Sequence, residues 1–105
     1  MDQTQPEIFM IDLSLCKSGT QILIETNNSF YEITLTEDHK TEIVGGSTYD
    51  GHVRYPQNTR VSVYGLKEYL LGYFNCIYVG CKMFVTHGSD YIITSKVRKI
   101  SVQLA

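Results

Sequence analysis

Apolar and polar residues alternate along most of this chain. Ile77, Val79, Cys81, Met83 and Val85 occupy every second position, which in an extended chain puts all five on one face. His87-Gly88-Ser89-Asp90 supplies turn chemistry, and Tyr91-Ile92-Ile93-Thr94 is a second β-rich run. Ile100, Val102 and Leu104 then alternate with Lys99, Ser101 and Gln103. The C-terminal third therefore predicts a hairpin followed by one more strand, a meander with one apolar face.

The N-terminal half gives the same period. A first strand is expected over 8–15, with Phe9, Ile11, Leu13 and Leu15 sharing a face, and Lys17-Ser18-Gly19 breaks it. Residues 20–26 form a second strand facing inward through Ile22 and Ile24. Asn27-Asn28-Ser29 is a turn, because Asn tolerates the left-handed backbone of tight hairpins. Residues 30–36 return with Tyr31, Ile33 and Leu35 on one face. A short strand follows over 41–44 and is stopped by Gly45-Gly46; another is expected over 60–64.

Two stretches break the period. Residues 45–59 read GGSTYDGHVRYPQNT, which predicts a long loop, the kind of segment that carries binding residues. In 66–74, Leu66, Tyr69, Leu70, Tyr73 and Phe74 fit one face of a short helix, with Gly72 counting against it. The alternative for 66–74 is an aromatic-rich loop lying across a barrel mouth.

Seven or so short strands and one short helix at about 66–74 predict an all-β protein, a small and mostly antiparallel barrel or sandwich, SH3-like or OB-like. With 105 residues the chain is long enough for one core. Residues 1–7 are expected to be a flexible tail and 8–105 a single β domain. The 43% hydrophobic content, eight Tyr, four Phe and only two Pro suit half-buried strands.

The charge is unevenly spread. Residues 1–52 hold nine acids and two bases, for a net of −7; residues 53–105 hold seven bases and two acids, for +5. Such asymmetry marks either a basic binding face or two halves whose charges pair across strands. No run of bases exceeds two residues, which favours pairing.

Cys16, Cys76 and Cys81 are odd in number and lack a CxxC. The opening MDQTQPEIF is polar and acidic where a secretory leader would be basic, so a reducing cytoplasm is expected. No apolar run approaches the ~20 residues of a membrane helix.

The chemistry-bearing residues are sparse. His39, His52 and His87 show no metal-ligand spacing, and the one cluster of ligand types, Cys76, Cys81 and His87, has Cys81 sharing the apolar face as a small core residue. Gly45-Gly46-Ser47-Thr48 matches neither phosphate-binding loop pattern. No catalytic residue, metal site or cofactor is expected. Aromatic and basic residues do crowd together in the loop 47–55 and the segment 66–74. Tyr49, His52, Arg54, Tyr55, Tyr69 and Tyr73 are the binding candidates, with Lys96, Arg98 and Lys99 able to add charge from the last strands. The expectation is a non-enzymatic binding or interaction module that takes a protein partner or a second copy of itself. Binding of single-stranded nucleic acid is the alternative.

Gly80-Cys81-Lys82-Met83, Ile93-Thr94-Ser95-Lys96-Val97 and Ile100 resemble the closing G-x-x-M … I-T-S-x-V-x-x-I pattern of small uncharacterised bacterial all-β proteins. Residues 25–33, ETNNSFYEI, are similar to their opening hairpin. The resemblance implies an all-β domain of the bacterial cytoplasm and transfers no active site.

Overall fold

The computed structural model describes residues 8–38, 40–47, 53–67 and 70–103, with side chains at all of these except 47, 57, 67 and 70–72. Among them the regular elements are antiparallel strands and one turn of 3-10 helix. In chain order these are β1 (Met10–Asp12), the 3-10 turn (Leu13–Leu15), β2 (Gln21–Thr26), β3 (Phe30–Leu35), β4 (Thr41–Ser47) and β5 (Val53–Lys67). There follow β6 (Leu70–Phe74), β7 (Cys76–Tyr78), β8 (Lys82–His87), β9 (Asp90–Ile93) and β10 (Val97–Gln103).

The main sheet runs β10-β2-β3-β4-β5-β8-β9, with β6 also on β5, while β1 and β7 form a separate pair. The β2–β3 hairpin forms where alternation predicts it: Ile22 faces Ile33 and Ile24 faces Tyr31, all buried. Its turn is closed by Thr26, whose Oγ1 accepts from the Ser29 amide at 3.0 Å and donates to the Ser29 carbonyl at 3.0 Å. That satisfies a hydroxyl which would otherwise be buried at a cost.

The core comes from one face of this sheet. Ile22, Ile24, Ile33, Ile43, Val63, Met83, Val85 and Val97 are all at most 1% exposed. Full burial of such side chains contributes about 1.5–3 kcal/mol each. The two ends of the sheet order are linked through the chain of β9 and β10. β9 and β10 stand at opposite ends of the sheet order, yet they are consecutive pieces of one stretch of chain. The Thr94 amide donates to Met83 O on β8, and the Val97 amide donates to Cys81 O. Lys96 O accepts from the Asn27 amide on the β2 side.

β5 is longer than the strand expected over 60–64. It pairs with β4 along its first part; Tyr64–Leu66 in its second part are flanked by β6 on one edge and β8 on the other. Opposite β4 it bulges: Ile43 faces Thr59 and Gly45 faces Tyr55, so 56–58 take up the extra chain, with Asn58 in the left-handed region at φ 67°.

Several expectations are corrected. The short helix at 66–74 is not formed: Leu66 and Lys67 continue β5, and Leu70–Phe74 is the strand β6 running back along it. Gly65 explains why. A Cβ there would lie 2.6 Å from Cys76 O, so β5 passes β7 at a distance only glycine permits. Strand pairing thereby outweighs the weak helical tendency of so short a segment. The long loop 45–59 is largely strand, since β4 runs through Ser47 and β5 begins at Val53; 48–52 lie outside the described residues.

The first strand is only Met10–Asp12, ended by Asp12, whose Oδ1 accepts from the Ser14 amide at 2.9 Å and caps the 3-10 turn. Leu15 is left exposed as a result. The run 77–85 is broken by a turn in which Gly80 has φ 89°. Cys81 is therefore half-buried, while Ile77, Met83 and Val85 are buried. The tail at 1–7 and Leu104 lie outside the described residues.

Candidate binding surface

On β5 and on β8 one outward aromatic lies between two inward positions. Val63 and Gly65 face inward on β5, so Tyr64 faces out; Met83 and Val85 face inward on β8, so Phe84 faces out. Registry places Tyr64 opposite Phe74 of β6 and opposite Phe84 of β8. Phe84 stands opposite Ile93, with Tyr91 on the diagonal. The result is a row of rings crossing four strands. Phe74 and Tyr64 have centroids 5.2 Å apart, Tyr64 and Phe84 5.9 Å, and Phe84 and Tyr91 5.1 Å. Cross-strand aromatic pairs contribute about 0.5–1.5 kcal/mol each beyond their area.

The two ends of the row face water, and Tyr64 and Phe84 between them are half-buried. Tyr91 is 63% exposed, Phe74 58% and Ile93 53%. The outward-facing positions of β8 and β9 and of the second half of β5 carry one charged group, Lys82, and no carboxylate. Carboxylates lie on the other half of the sheet: Glu25 opposite Lys99, Glu32, and Glu42 opposite Arg60. Arg60 Nη1 is 3.3 Å from Asp38 Oδ2, and Arg60 Nε is 3.8 Å from Glu42 Oε2. The charges of the two sequence halves thus meet across strands there. The Thr36 hydroxyl and the Arg60 guanidinium hold the Asp38 carboxyl below the usual range.

Beyond Tyr91 the row reaches a cleft of about 430 Å³, to which β5 contributes Arg54, Tyr55 and Thr59 and the β8–β9 hairpin contributes His87, Asp90 and Tyr91. His87 Nδ1 lies 2.9 Å from Arg60 O. A carbonyl only accepts, so Nδ1 carries the hydrogen and the neutral ring keeps Nε2 as its acceptor. Tyr55 is buried beside the cleft, and burial pushes its phenol up, against the pull of the Arg54 guanidinium. Burial pushes up Tyr31 as well.

The candidates read from sequence separate in space. Arg54 and Tyr55 both border the cleft, but Arg54 is exposed and Tyr55 is a core residue at 5%. Tyr73 is exposed on β6, set edge-on to Tyr78 at 5.7 Å and apart from the row. Tyr49, His52 and Tyr69 lie outside the described residues. Phe84, Tyr91 and Ile93 were not singled out by sequence reasoning. The available signal was one aromatic, Tyr64, Phe84 or Tyr91, at an off-phase position of each strand.

Cys16 and Cys76 are pushed up by burial and by the Asp12 carboxylate, which keeps both as thiols. Among the described residues no three His, Cys, Asp or Glu side chains are grouped to hold a metal ion. Nor is any helix there long and apolar enough to cross a membrane. Comparison of the chain with known protein families, curated proteins and solved structures gave no match.

Proposed function

We propose that this protein is a non-enzymatic binding module whose contact surface is the outer aromatic face of β5, β6, β8 and β9. The observation that carries the reading is the row Phe74–Tyr64–Phe84–Tyr91, extended by Ile93 and exposed at Phe74, Tyr91 and Ile93. The scaffold we propose is a small SH3-like or OB-like barrel, because the chain of β9 and β10 joins both ends of the sheet order. The three free cysteines fit a reducing cytoplasm. The partner is a protein surface, which would cover the rings with apolar side chains.

Native mass spectrometry of the protein isolated from its own host tests this, alongside the variant Phe74→Ser/Tyr91→Ser. A complex present for the wild type and lost in the folded variant is the expected result. A complex that survives both substitutions contradicts the surface.

A second reading, binding of single-stranded nucleic acid, is favoured by the segregation of charge: the aromatic face carries Lys82 while the carboxylates lie on β2–β4. Bases stack on such rings, and Lys or Arg meets phosphate. A labelled oligothymidylate should then be retained at low salt and released steeply as salt rises. No retention at low salt removes this class.

A further inference from the structure

The edge of β9 that no described strand pairs with is the feature that says most about the partner. Registry pairs β9 with β8 so that the positions facing each other sum along Phe84–Ile93, Val85–Ile92 and Thr86–Tyr91. The Thr94 amide donates to Met83 O at 2.9 Å, which fixes the phase of that ladder. Stepping back by two, Ile92 and Asp90 turn their backbone groups toward β8. Tyr91 and Ile93 therefore turn theirs the other way. Further along the chain that same edge is filled by β2, beginning where Lys96 O accepts from the Asn27 amide. The β2–β3 hairpin stops at its turn, where the Asn28 amide donates to Ser95 Oγ, and does not reach β9. Among the described residues no strand pairs with this edge.

Natural edge strands are kept apart by shortness, charge, Pro or a bulge. β9, Asp90-Tyr91-Ile92-Ile93, is short and carries Asp90 but has no Lys, Pro or bulge, and its two outward side chains are 63% and 53% exposed. We infer that β9 pairs antiparallel with β9 of a second copy of this chain, an inference that rests on the outer face being a binding surface. A two-fold axis at Ile92 sets Tyr91 against Ile93 of the other copy and the reverse. Both residues then give and receive backbone hydrogen bonds, and the same step covers both side chains. The aromatic row becomes continuous across the dimer. Charge also matches: the Asp90 of each copy comes toward the end of the other's strand that leads into Lys96, an exposed cation. A two-fold contact of this kind closes on itself and gives a dimer and no filament.

Sedimentation of the full chain over a range of concentrations tests the inference, with Tyr91→Pro and Ile93→Pro as variants. Each proline removes an amide that points away from β8, so the intramolecular ladder is kept. The expected result is a wild-type dimer and variants that dissociate at least about tenfold more readily, with unchanged circular dichroism. Hydrogen exchange on the wild type is the second measurement and needs no variant to fold. The Tyr91 and Ile93 amides should exchange about tenfold more slowly in the dimer than in dilute monomer. A wild type that stays monomeric, a dimer that both prolines leave intact, or unaltered exchange at these two amides overturns the inference. A monomer that still captures a partner lost on Phe74→Ser/Tyr91→Ser would overturn only the second copy and leave the outer face as the binding surface.

Discussion

Phe84 and Tyr91 stack across the β8–β9 pair, their ring centroids 5.1 Å apart and their planes 22° from parallel. Neither ring belongs to the core, and Tyr91 is 63% exposed. The pair organises the outer face: it connects the Tyr64–Phe74 contact on one side to the cleft at Arg54 and His87 on the other.

A double-mutant cycle with Phe84→Ala and Tyr91→Ala should give a coupling energy of about 0.5–1.5 kcal/mol in urea denaturation. Tyr91→Ala alone should leave the fold intact, because the residue sits outside the core. A coupling indistinguishable from zero would show that the two rings do not hold each other in solution.

Two glycines in the left-handed region separate backbone strain from crowding. Gly45 has φ 124°, and a Cβ there would lie 2.4 Å from Phe30 O in the neighbouring strand. Gly80 has φ 89° with nothing within 4 Å of such a Cβ. Gly80→Ala should therefore cost about 1–2 kcal/mol, the strain of the conformation alone. Gly45→Ala should cost about 3–5 kcal/mol, because β3 and β4 must also move apart. Equal thermal shifts for the two variants would contradict the close approach at Gly45.

Alkaline pH should destabilise the protein through Tyr31 and Tyr55. Burial raises both phenols above their unfolded value of about 10, so between the two values the folded chain holds more protons than the unfolded one. Their contribution is present in full below about pH 10 and is lost as pH climbs through the raised values. Denaturation midpoints should fall from about pH 9 to about pH 11, and Tyr55→Phe should flatten the decline. A midpoint that falls as steeply in the variant would mean Tyr55 is not the buried phenol responsible.

Arg60 presents the opposite case, a paired charge of small consequence. Its contacts with Asp38 and Glu42 are largely in water, so Arg60→Ala should cost less than about 1 kcal/mol and the difference should shrink in high salt. A larger loss would point to the Arg60 carbonyl that holds His87, which a change of backbone position would disturb.

The fold class and the β2–β3 hairpin were legible because one face is buried and period two is enforced by that burial: Ile22, Ile24, Tyr31, Ile33 and Leu35 all went inward as their spacing required. What misled was spacing without its context. Leu66, Tyr69, Leu70, Tyr73 and Phe74 fit a helical stripe, but β5 and β8 offer backbone partners to this segment that a local pattern does not contain. The run from Ile77 to Val85 kept its alternation through a turn at Gly80, since a left-handed glycine leaves no mark on hydrophobic period. The aromatic row was hidden for a related reason. Phe74, Tyr64, Phe84 and Tyr91 are far apart in sequence and become one row only through the registers of β6, β5, β8 and β9. Crowding of aromatics in sequence picked out Tyr55 instead, whose place opposite Gly45 puts it in the core.

The most direct test of the central claim is nuclear magnetic resonance of isotope-labelled protein titrated with its unlabelled copy, following amide and aromatic shifts. The account predicts that the shifts which move belong to Tyr64, Phe74, Phe84, Tyr91 and Ile93, with the largest changes at the Tyr91 and Ile93 amides. Shifts that move instead at Leu23, Phe30 and Glu32 would place the contact on the acidic half of the sheet and contradict the aromatic face as the binding surface.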